Sequence, residues 1–215
     1  MLATTEQLTA LVNLFHTGTE LSYKKGEFVI RPGETPSGVF YISEGLVKAY
    51  DITKYGEENM LIIRKEHEIF PLIWAITGQE RNVMYETLAP TRVFRITRDC
   101  LLEYLHSHSD ATPPMLDMAI EMYRIHSERI INLEYRTVRE RLVSFLLTMS
   151  GRFGKQNANG LIIDVPLRQQ DIASSINASR ETTSRELTAL ERKQLLKFEQ
   201  PHITLLDEAG LRAML

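Results

Sequence analysis

The sequence predicts an α+β protein with an antiparallel β-barrel or jelly roll at its N-terminal end, one long helix, and a helix-turn-helix near its C-terminal end. Three observations carry this prediction. Short strand-like runs lie close together before residue 100, apolar residues repeat at helical spacing from Pro113 onward, and a three-residue turn joins two short helical segments after Pro166.

The composition narrows the class of protein. The chain has 215 residues, of which 43% are hydrophobic, and this is enough apolar material for two domains with separate cores. The single cysteine, Cys100, excludes an internal disulfide framework and an iron–sulfur cluster, which needs about four cysteine ligands. We expect a cytoplasmic protein without membrane contact, because no signal-peptide pattern is evident and no run approaches the roughly 20 apolar residues that span a bilayer.

The net charge of −3 is unevenly distributed along the chain. Residues 1–135 contain 13 Lys and Arg against 19 Asp and Glu, whereas residues 136–215 contain 12 against 9. Only the C-terminal part therefore has the positive excess that favours contact with nucleic-acid phosphates.

The strand-like runs are rich in Val, Ile, Phe and Tyr and are separated by glycine and proline turns. They are EFVIRPGE, GVFYISEG, LVKAYDI, NMLIIR, HEIFPLIW and TRVFRI, and they follow a short amphipathic helix. Strands this short and closely spaced predict a barrel whose interior can hold a small ligand.

The helix from Pro113 is expected to run for roughly 20 residues or more, with Thr112 or the prolines in its first turn. Its apolar stripe is too wide for one partner surface, so we expect one side to pack on the barrel and the other on a second copy of the helix. The residues predicted for this dimer contact are Leu116, Ala119, Tyr123, His126, Ile130 and Leu133. The alternative is a helix wholly buried within one subunit.

These patterns divide the chain into a barrel domain of residues 1–112, a dimerisation helix of residues 113–135, and a C-terminal domain of residues 136–215. In the C-terminal domain, TVRERLVSFLLTMSGRFG predicts an apolar helix that ends at Gly151 or Gly154. KQNANG then predicts a polar turn and LIIDVP predicts a strand.

The segment PLRQQDIASSINASRETTSREL predicts the helix-turn-helix. The first helix is expected at about Arg168–Ile176, Asn177 tolerates the left-handed backbone of a tight turn, and Ser179 caps the next helix. At about 100° per residue, the polar side chains of that second helix fall within an arc of roughly 140°. The arc contains Arg180, Glu181, Ser184, Arg185 and Thr188, and the opposite side contains Thr183, Leu187 and Leu190.

This polar arc has the chemistry that base reading needs. Arginine can donate two hydrogen bonds to the guanine edge, and a carboxylate can accept one from the cytosine amino group. Arg180, Glu181 and Arg185 are therefore predicted to read DNA bases. The alternative is an amphipathic helix whose charges are simply solvated.

The same segment resembles the recognition motif of the Crp–Fnr family, the cyclic-AMP receptor protein and its relatives, in which a Ser-Arg-Glu-Thr run followed by Arg opens the recognition helix. The resemblance implies that Arg180, Glu181 and Arg185 contact the bases of a TGTGA-like half-site. It implies that Gln170 and Ser179 hold phosphates. From the apolar stripe, the helix-turn-helix spacing and the charge division we expect a homodimeric transcription regulator on a pseudo-palindromic double-stranded DNA operator, with RNA polymerase as a partner.

Two departures from the family pattern concern the helix-turn-helix. Asn177 stands where the family usually has Gly, and Thr183 and Glu186 replace apolar residues. We therefore expect looser packing under the recognition helix.

The resemblance extends over nearly the whole chain. KKGEFVIRPGETPSGVFYISEGLVKAYDI resembles the opening of the family's cyclic-nucleotide-binding-type barrel, and the helix from Pro113 resembles its dimerisation helix. Two short strands around Glu199–Pro201 would form the wing of a winged helix, which tracks the DNA backbone.

The segment at the position of the family's nucleotide-binding cassette departs from the family pattern. In the nucleotide-binding members, a Gly-Glu-Leu run precedes Arg-Ser or Arg-Thr. Here Pro71-Leu72-Ile73 stands in place of Gly-Glu-Leu, and Asn82 follows Arg81. Proline removes an amide donor and leucine cannot accept a hydrogen bond from a ribose hydroxyl. We therefore expect an effector other than cyclic AMP.

The identity of a cofactor or effector stays open on the sequence alone. Arg81 can bind an anion and Trp74 or Tyr85 can stack on a base, so a different nucleotide or a cyclic dinucleotide fits. The alternative is that both aromatic residues belong to the core, Arg81 lies at the surface, and the regulator acts without an effector through a vestigial pocket. Haem is a further alternative, through His16, His67 or His126, although a lone histidine is usually structural.

A cupin-like metalloenzyme is the competing class, because the chain contains His106-Ser107-His108. Alternate residues converge on one metal most readily from a strand, whereas this triplet follows the apparent helix DCLLEYL. No phosphate-binding glycine loop or nucleophile elbow is evident either. We expect neither an enzyme nor a metal site.

Overall fold

The computed structural model describes residues 2–215, which divide into two compact units. The first unit consists of the chain up to Asp51 together with Leu61–Arg124, and the second consists of Ile52–Met60 together with Ile125–Leu215. The boundary between Arg124 and Ile125 falls within the predicted long helix.

The N-terminal part of the chain is a β-barrel flanked by short helices. Its helices are α1 (Thr5–His16), α2 (Leu72–Thr77) and α3 (Arg98–Ser107), and a 3₁₀ turn follows at Ser109–Ala111. Its strands are β1 (Thr19–Tyr23), β2 (Phe28–Ile30), β3 (Val39–Glu44), β4 (Val47–Ile52), β5 (Glu58–Arg64), β6 (Ile69–Phe70), β7 (Met84–Thr87) and β8 (Thr91–Ile96). They form two four-stranded sheets in the orders β1-β8-β3-β6 and β2-β7-β4-β5, so the predicted antiparallel barrel is confirmed.

One predicted strand is only partly a strand. In HEIFPLIW only Ile69–Phe70 is a strand, and Leu72–Thr77 forms α2 after Pro71. The prediction was wrong because Pro71 lacks the N–H that a β ladder needs, while its fixed backbone angle suits the start of a helix.

Two strands gave too weak a sequence signal to be predicted. β1 lies at the end of its sheet and is largely exposed, so it needs few apolar residues. β7 has only four residues, although it lies between β2 and β4.

The first unit has an apolar core to which helices and strands both contribute. Its buried members are Leu11, Phe15, Val39, Tyr41, Ile69, Leu72, Ala75, Ile96, Leu101 and Met115. A capping box at Thr4 and Gln7 begins α1, so the chain enters this core at a defined angle.

The long helix α4 spans Thr112–Tyr135, as the apolar periodicity predicts. Pro113 and Pro114 lie in its first turn, where their missing N–H groups cost no intrahelical hydrogen bond. Met115 and Ile125 are buried.

The second unit contains four helices after α4 and a small antiparallel sheet. Its elements are α5 (Val138–Phe153), β9 (Gly154–Asn157), β10 (Gly160–Ile163), α6 (Gln169–Ile176), α7 (Arg180–Arg192), β11 (Leu196–Glu199), β12 (His202–Leu205) and α8 (Glu208–Arg212). The sheet order is β11-β12-β10-β9. Helix α5 ends at Gly154, one of the two predicted sites, and part of the predicted KQNANG turn forms β9 instead.

Candidate nucleic-acid interface

The turn between α6 and α7 has the geometry that the sequence predicts. Asn177 adopts a left-handed backbone with φ 50° and ψ 60°, and its N–H donates to the carbonyl of Ala173. The Ser179 hydroxyl then accepts a hydrogen bond from the Thr182 N–H at 3.1 Å. This cap starts α7 within three residues of the end of α6.

Helix α7 has a buried side and an exposed side. Thr183, Leu187 and Leu190 are buried, whereas Arg180, Glu181 and Arg185 are all exposed. The exposed side forms an open groove lined by Gln169, Arg180, Glu181, Ser184, Arg185, Thr188, Ala189 and Arg192. The structure therefore brings the three predicted base-reading residues together along one groove.

The two polar residues that replace apolar ones in α7 both have hydrogen-bond partners. Thr183 is fully buried, and its hydroxyl donates to the Ser179 carbonyl at 2.9 Å. Glu186 accepts a hydrogen bond from Arg139 Nε of α5 at 2.7 Å. Both polar residues are accommodated by hydrogen bonding, which lowers the cost of removing them from water.

Two contacts hold the helix-turn-helix in place. The buried carboxylate of Asp171 accepts hydrogen bonds from the Arg168 backbone N–H at 2.9 Å and from the Arg168 guanidinium. Arg168 is the N-cap residue of α6. Arg141 of α5 donates to the carbonyl of Asn177 at 3.1 Å. The turn is therefore anchored by an arginine far from it in sequence.

Sequence reasoning missed Gln169 as a groove residue. Gln169 is the first residue of α6, and its amide lies 3.5 Å from the Ser184 hydroxyl of α7. The predicted phosphate contacts, Gln170 and Ser179, are both exposed. Two adjacent glutamines carry no sequence signal that separates them, because the angle between α6 and α7 decides which one faces the groove.

The residues predicted for a dimer contact lie mostly exposed on α4. Tyr123 is 72% exposed and Ile130 is 62% exposed. Leu116, Ala119 and Leu133 are also exposed, and His126 is half-buried. The exposed apolar residues that the prediction missed are Ile120, Ile131 and Tyr135.

The three possible effector contacts have different surroundings. Arg81 is exposed, Trp74 is half-buried against the apolar core of the first unit, and Tyr85 is buried with its ring 4.8 Å from that of Phe70. Burial raises the pKa of Tyr85, while the positive charges of Arg64 and Arg81 lower it. Tyr85 and Trp74 therefore pack with other core residues, whereas Arg81 lies at the surface.

The segment at the position of the nucleotide cassette has no acceptor for a ribose hydroxyl. Pro71 precedes the first turn of α2, and the side chain of Leu72 is buried in the apolar core. An effector other than cyclic AMP stays a prediction.

The histidines considered as ligands have protein neighbours. His67 Nδ1 lies 2.7 Å from the Tyr41 hydroxyl, and the His16 ring lies 4.4 Å from that of Phe94. His106 is on α3 and His108 follows it, so neither is on a strand. Among residues 2–215, no group of three or more His, Cys, Asp and Glu side chains could hold a metal ion.

The helices of residues 2–215 include none with the length and apolar character to cross a membrane.

Two family models match the chain. A cyclic nucleotide-binding domain model matches residues 20–108, and a Crp-like helix-turn-helix model matches residues 140–214. The second match contains α6, α7 and the strands β11 and β12.

Curated relatives match along most of their length. The chain is 27% identical over 192 residues to the global nitrogen regulator of Synechococcus elongatus, covering 88% of this chain and 86% of the relative. It is 26% identical over 209 residues to the transcriptional activator FnrA of Stutzerimonas stutzeri, covering 97% and 84%.

Solved structures share the fold. FixK2 from Bradyrhizobium japonicum superposes with a TM-score of 0.79 at 23% identity, covering 91% of this chain and 96% of that one. The c-di-GMP responsive regulator CLP of Xanthomonas campestris has a TM-score of 0.75 at 18% identity, covering 92% and 98%. The relatives are transcription regulators and not enzymes, so the cupin-like alternative is wrong. The domain matches, the relatives and the helix-turn-helix geometry together establish that the chain belongs to the Crp–Fnr family of transcription regulators and carries a helix-turn-helix DNA-binding domain.

Proposed function

We propose that the protein binds a pseudo-palindromic DNA operator as a homodimer and that its barrel responds to a small effector other than cyclic AMP. The observation that carries the DNA-binding part is the exposed groove of α7, which presents Arg180, Glu181 and Arg185 while Thr183, Leu187 and Leu190 anchor the opposite side.

Base reading follows from the chemistry of this groove. Arg180 and Arg185 each donate a bidentate pair to a guanine edge, and the Glu181 carboxylate accepts from a cytosine amino group. Gln170 and Ser179 hold phosphates and set the register of α7 in the major groove. In a homodimer, two copies of α7 enter successive major grooves about 34 Å apart.

The exposed apolar side chains of α4 support the homodimer. Exposed groups such as Tyr123 and Ile130 are unfavourable in water and mark an interaction surface. A second copy of α4 covers them in the proposed dimer. RNA polymerase stays a predicted partner.

The effector part of the proposal is supported by the changed cassette. Leu72 is buried where the nucleotide-binding members have a glutamate, so a ribose hydroxyl finds no acceptor there. A nucleotide of another kind, including a cyclic dinucleotide, fits the exposed Arg81, and one structural neighbour is described as c-di-GMP responsive. A regulator that acts without an effector is the second candidate, because Trp74 and Tyr85 are packed as core residues.

Alanine substitutions test base reading. Arg180→Ala or Arg185→Ala should weaken binding to an operator selected from random DNA duplexes by roughly 1–3 kcal/mol, because each removes a bidentate pair. Each should also relax the preference at one base pair per half-site. Gel-shift titrations on the selected operator and on its single-base variants measure both effects.

Gln170→Ala is the matched control, because it shortens an exposed polar side chain of the same motif. It should weaken binding to the operator and to random DNA by about the same factor. If Arg180→Ala also reduces the affinities for the operator and for random DNA by the same factor, base reading by α7 is contradicted.

A further inference from the structure

The hydroxyl groups beyond the first turn of α7 differ in their hydrogen bonds. The Thr183 hydroxyl donates to the Ser179 carbonyl at 2.9 Å, and the Thr188 hydroxyl donates to the Ser184 carbonyl at 3.0 Å. The Ser184 hydroxyl donates to no carbonyl of α7, and its hydrogen-bond neighbour is the side-chain amide of Gln169 in α6. Ser184 is therefore the hydroxyl of this stretch whose proton has no acceptor among residues 2–215.

Gln169 and Ser184 lie together in the groove of α7. Both are half-buried, and Nε2 of Gln169 lies 3.5 Å from Oγ of Ser184. Arg180 precedes Ser184 by about one helical turn, and Arg185 directly follows it. Because all four residues line the same groove, DNA that contacts both arginines also covers the Ser184 hydroxyl.

The direction of the hydrogen bond between the two side chains decides what Ser184 offers to DNA. A hydroxyl has one donor and two acceptor lone pairs, whereas an amide nitrogen only donates. When the Gln169 amide donates to Oγ, the serine proton is left to donate to a base. Guanine and thymine present acceptors on their major-groove edges, while cytosine presents an amino donor. The pair therefore favours guanine or thymine over cytosine.

We propose that Gln169 is a positioning residue for base recognition, and that its amide donates to Ser184 so that the serine hydroxyl donates to guanine or thymine. The proposal rests on the proposed DNA reading by α7 and adds one specified base pair per half-site. Gln169 follows the N-cap residue Arg168, which is bound through its backbone and side chain by the buried carboxylate of Asp171. The fixed start of α6 lowers the entropic cost of holding the amide against α7.

Ser184→Ala locates the base pair. Gel shifts with the full-length protein use the selected operator and duplexes in which each half-site base pair is changed to the other three. Loss of one hydrogen bond should lower the preference for guanine or thymine over cytosine by roughly three- to tenfold at a single position. The proposal is overturned if no position responds, or if the base preferred at the responding position is cytosine.

Gln169→Ala tests the role of the amide. It should lower the preference at that same position by roughly two- to fivefold, because the serine hydroxyl is then free to rotate. Combined with Ser184→Ala, it should cause no further loss at that position, since the two side chains act as one unit. If Gln169→Ala instead lowers the affinity for every duplex by the same factor, Gln169 only packs α6 against α7 and the proposal is overturned.

Gln169→Glu tests the direction of the hydrogen bond. A carboxylate only accepts, so it takes the serine proton and leaves Oγ to accept from a base amino group. The affinity ratio at that position should shift toward cytosine by at least about fivefold. A uniform loss of affinity from the added charge cancels in this ratio. A negative charge suits the first turn of α6, so the variant should fold.

Gln156→Glu is the matched control, because it makes the same substitution at an exposed glutamine of β9 outside the groove. It should leave every base preference unchanged. An unchanged preference for guanine or thymine in Gln169→Glu overturns the proposed direction of the hydrogen bond. If Gln169→Glu binds no duplex, the result with Gln169→Ala decides.

The same titrations separate this proposal from the proposed function. An unmodified protein without any base preference overturns the proposed DNA reading, and the role of Gln169 with it. A preference that depends on Arg180 and Arg185 but is unaffected by Ser184→Ala and Gln169→Ala overturns the positioning role alone.

Discussion

At the scale of single residues, Asn177 shows how a family departure is accommodated. A left-handed backbone usually favours glycine, but Asn tolerates it better than other residues with a side chain. The residue is exposed, so its side chain needs no space in the core. Its carbonyl accepts from Arg141, which stabilises the same backbone conformation from outside the turn.

Substitutions at Asn177 should therefore separate backbone conformation from side-chain contacts. Asn177→Ala should lower the free energy of unfolding by about 1 kcal/mol, because alanine is disfavoured at positive φ. Asn177→Gly should be at least as stable as the protein, because glycine adopts this conformation freely. Urea unfolding measures both. Equal destabilisation by Ala and Gly would instead assign the effect to lost contacts of the Asn177 side chain.

At the scale of elements, α4 has a buried side and an exposed apolar side. Met115 and Ile125 are buried within the subunit, whereas Tyr123 and Ile130 remain in contact with water. Exposed apolar groups repeated along one helix are typical of a helix that pairs with another. The alternative that α4 is wholly buried within one subunit does not agree with these exposed side chains.

Charged substitutions on α4 test the dimer contact. Ile130→Asp and Leu133→Asp should each give monomers, because they place carboxylates into an apolar interface. Operator binding should fall with the dimer, since one half-site contact gives little affinity. Size-exclusion chromatography with light scattering and gel shift measure the two effects.

Leu206→Asp is the control for the dimer test, because Leu206 is an exposed leucine outside α4. It should leave both the mass and the operator affinity unchanged. If Ile130→Asp and Leu133→Asp both remain dimers, the dimer interface lies on another surface.

At the scale of the whole molecule, the charge is divided between an acidic stretch, residues 1–135, and a basic stretch, residues 136–215, that contains the helix-turn-helix. A positive excess in residues 136–215 favours DNA there, while the acidic residues 1–135 repel phosphate elsewhere. An effector that binds one state of such a protein better than another shifts its DNA affinity, and the coupling is reciprocal.

Reciprocity gives a test of the effector at this scale. Cyclic AMP at millimolar concentration should leave the melting temperature unchanged, because the Pro71-Leu72 segment lacks its contacts. An effector found among cyclic dinucleotides or acidic metabolites should change operator affinity by the same factor by which operator DNA changes effector affinity. Calorimetric titrations with and without DNA measure both factors. A melting shift with cyclic AMP would contradict the expected change of effector.

Local patterns were enough to predict much of the fold and the exposed polar arc of α7. The short strands, the long helix, the Asn177 turn, the Ser179 cap and the polar arc of α7 all follow from residues within a few positions of one another. Helical periodicity and capping hydrogen bonds act over this range, so they can be recognised in the sequence. HEIFPLIW was one exception, because apolar runs of this length suit a strand or a helix and Pro71 decides between them.

The amino-acid sequence by itself determined the class of fold, the helix-turn-helix and the chemistry of the side chains exposed on α7, because each depends on near neighbours in the chain. Only the tertiary structure decided that Gln169 faces the groove, that Glu186 pairs with Arg139, and that Arg64 is buried against Met122. The physical reason is that these three outcomes depend on side chains from separate elements. Burial and pairing between distant residues are set by packing, which no local pattern records.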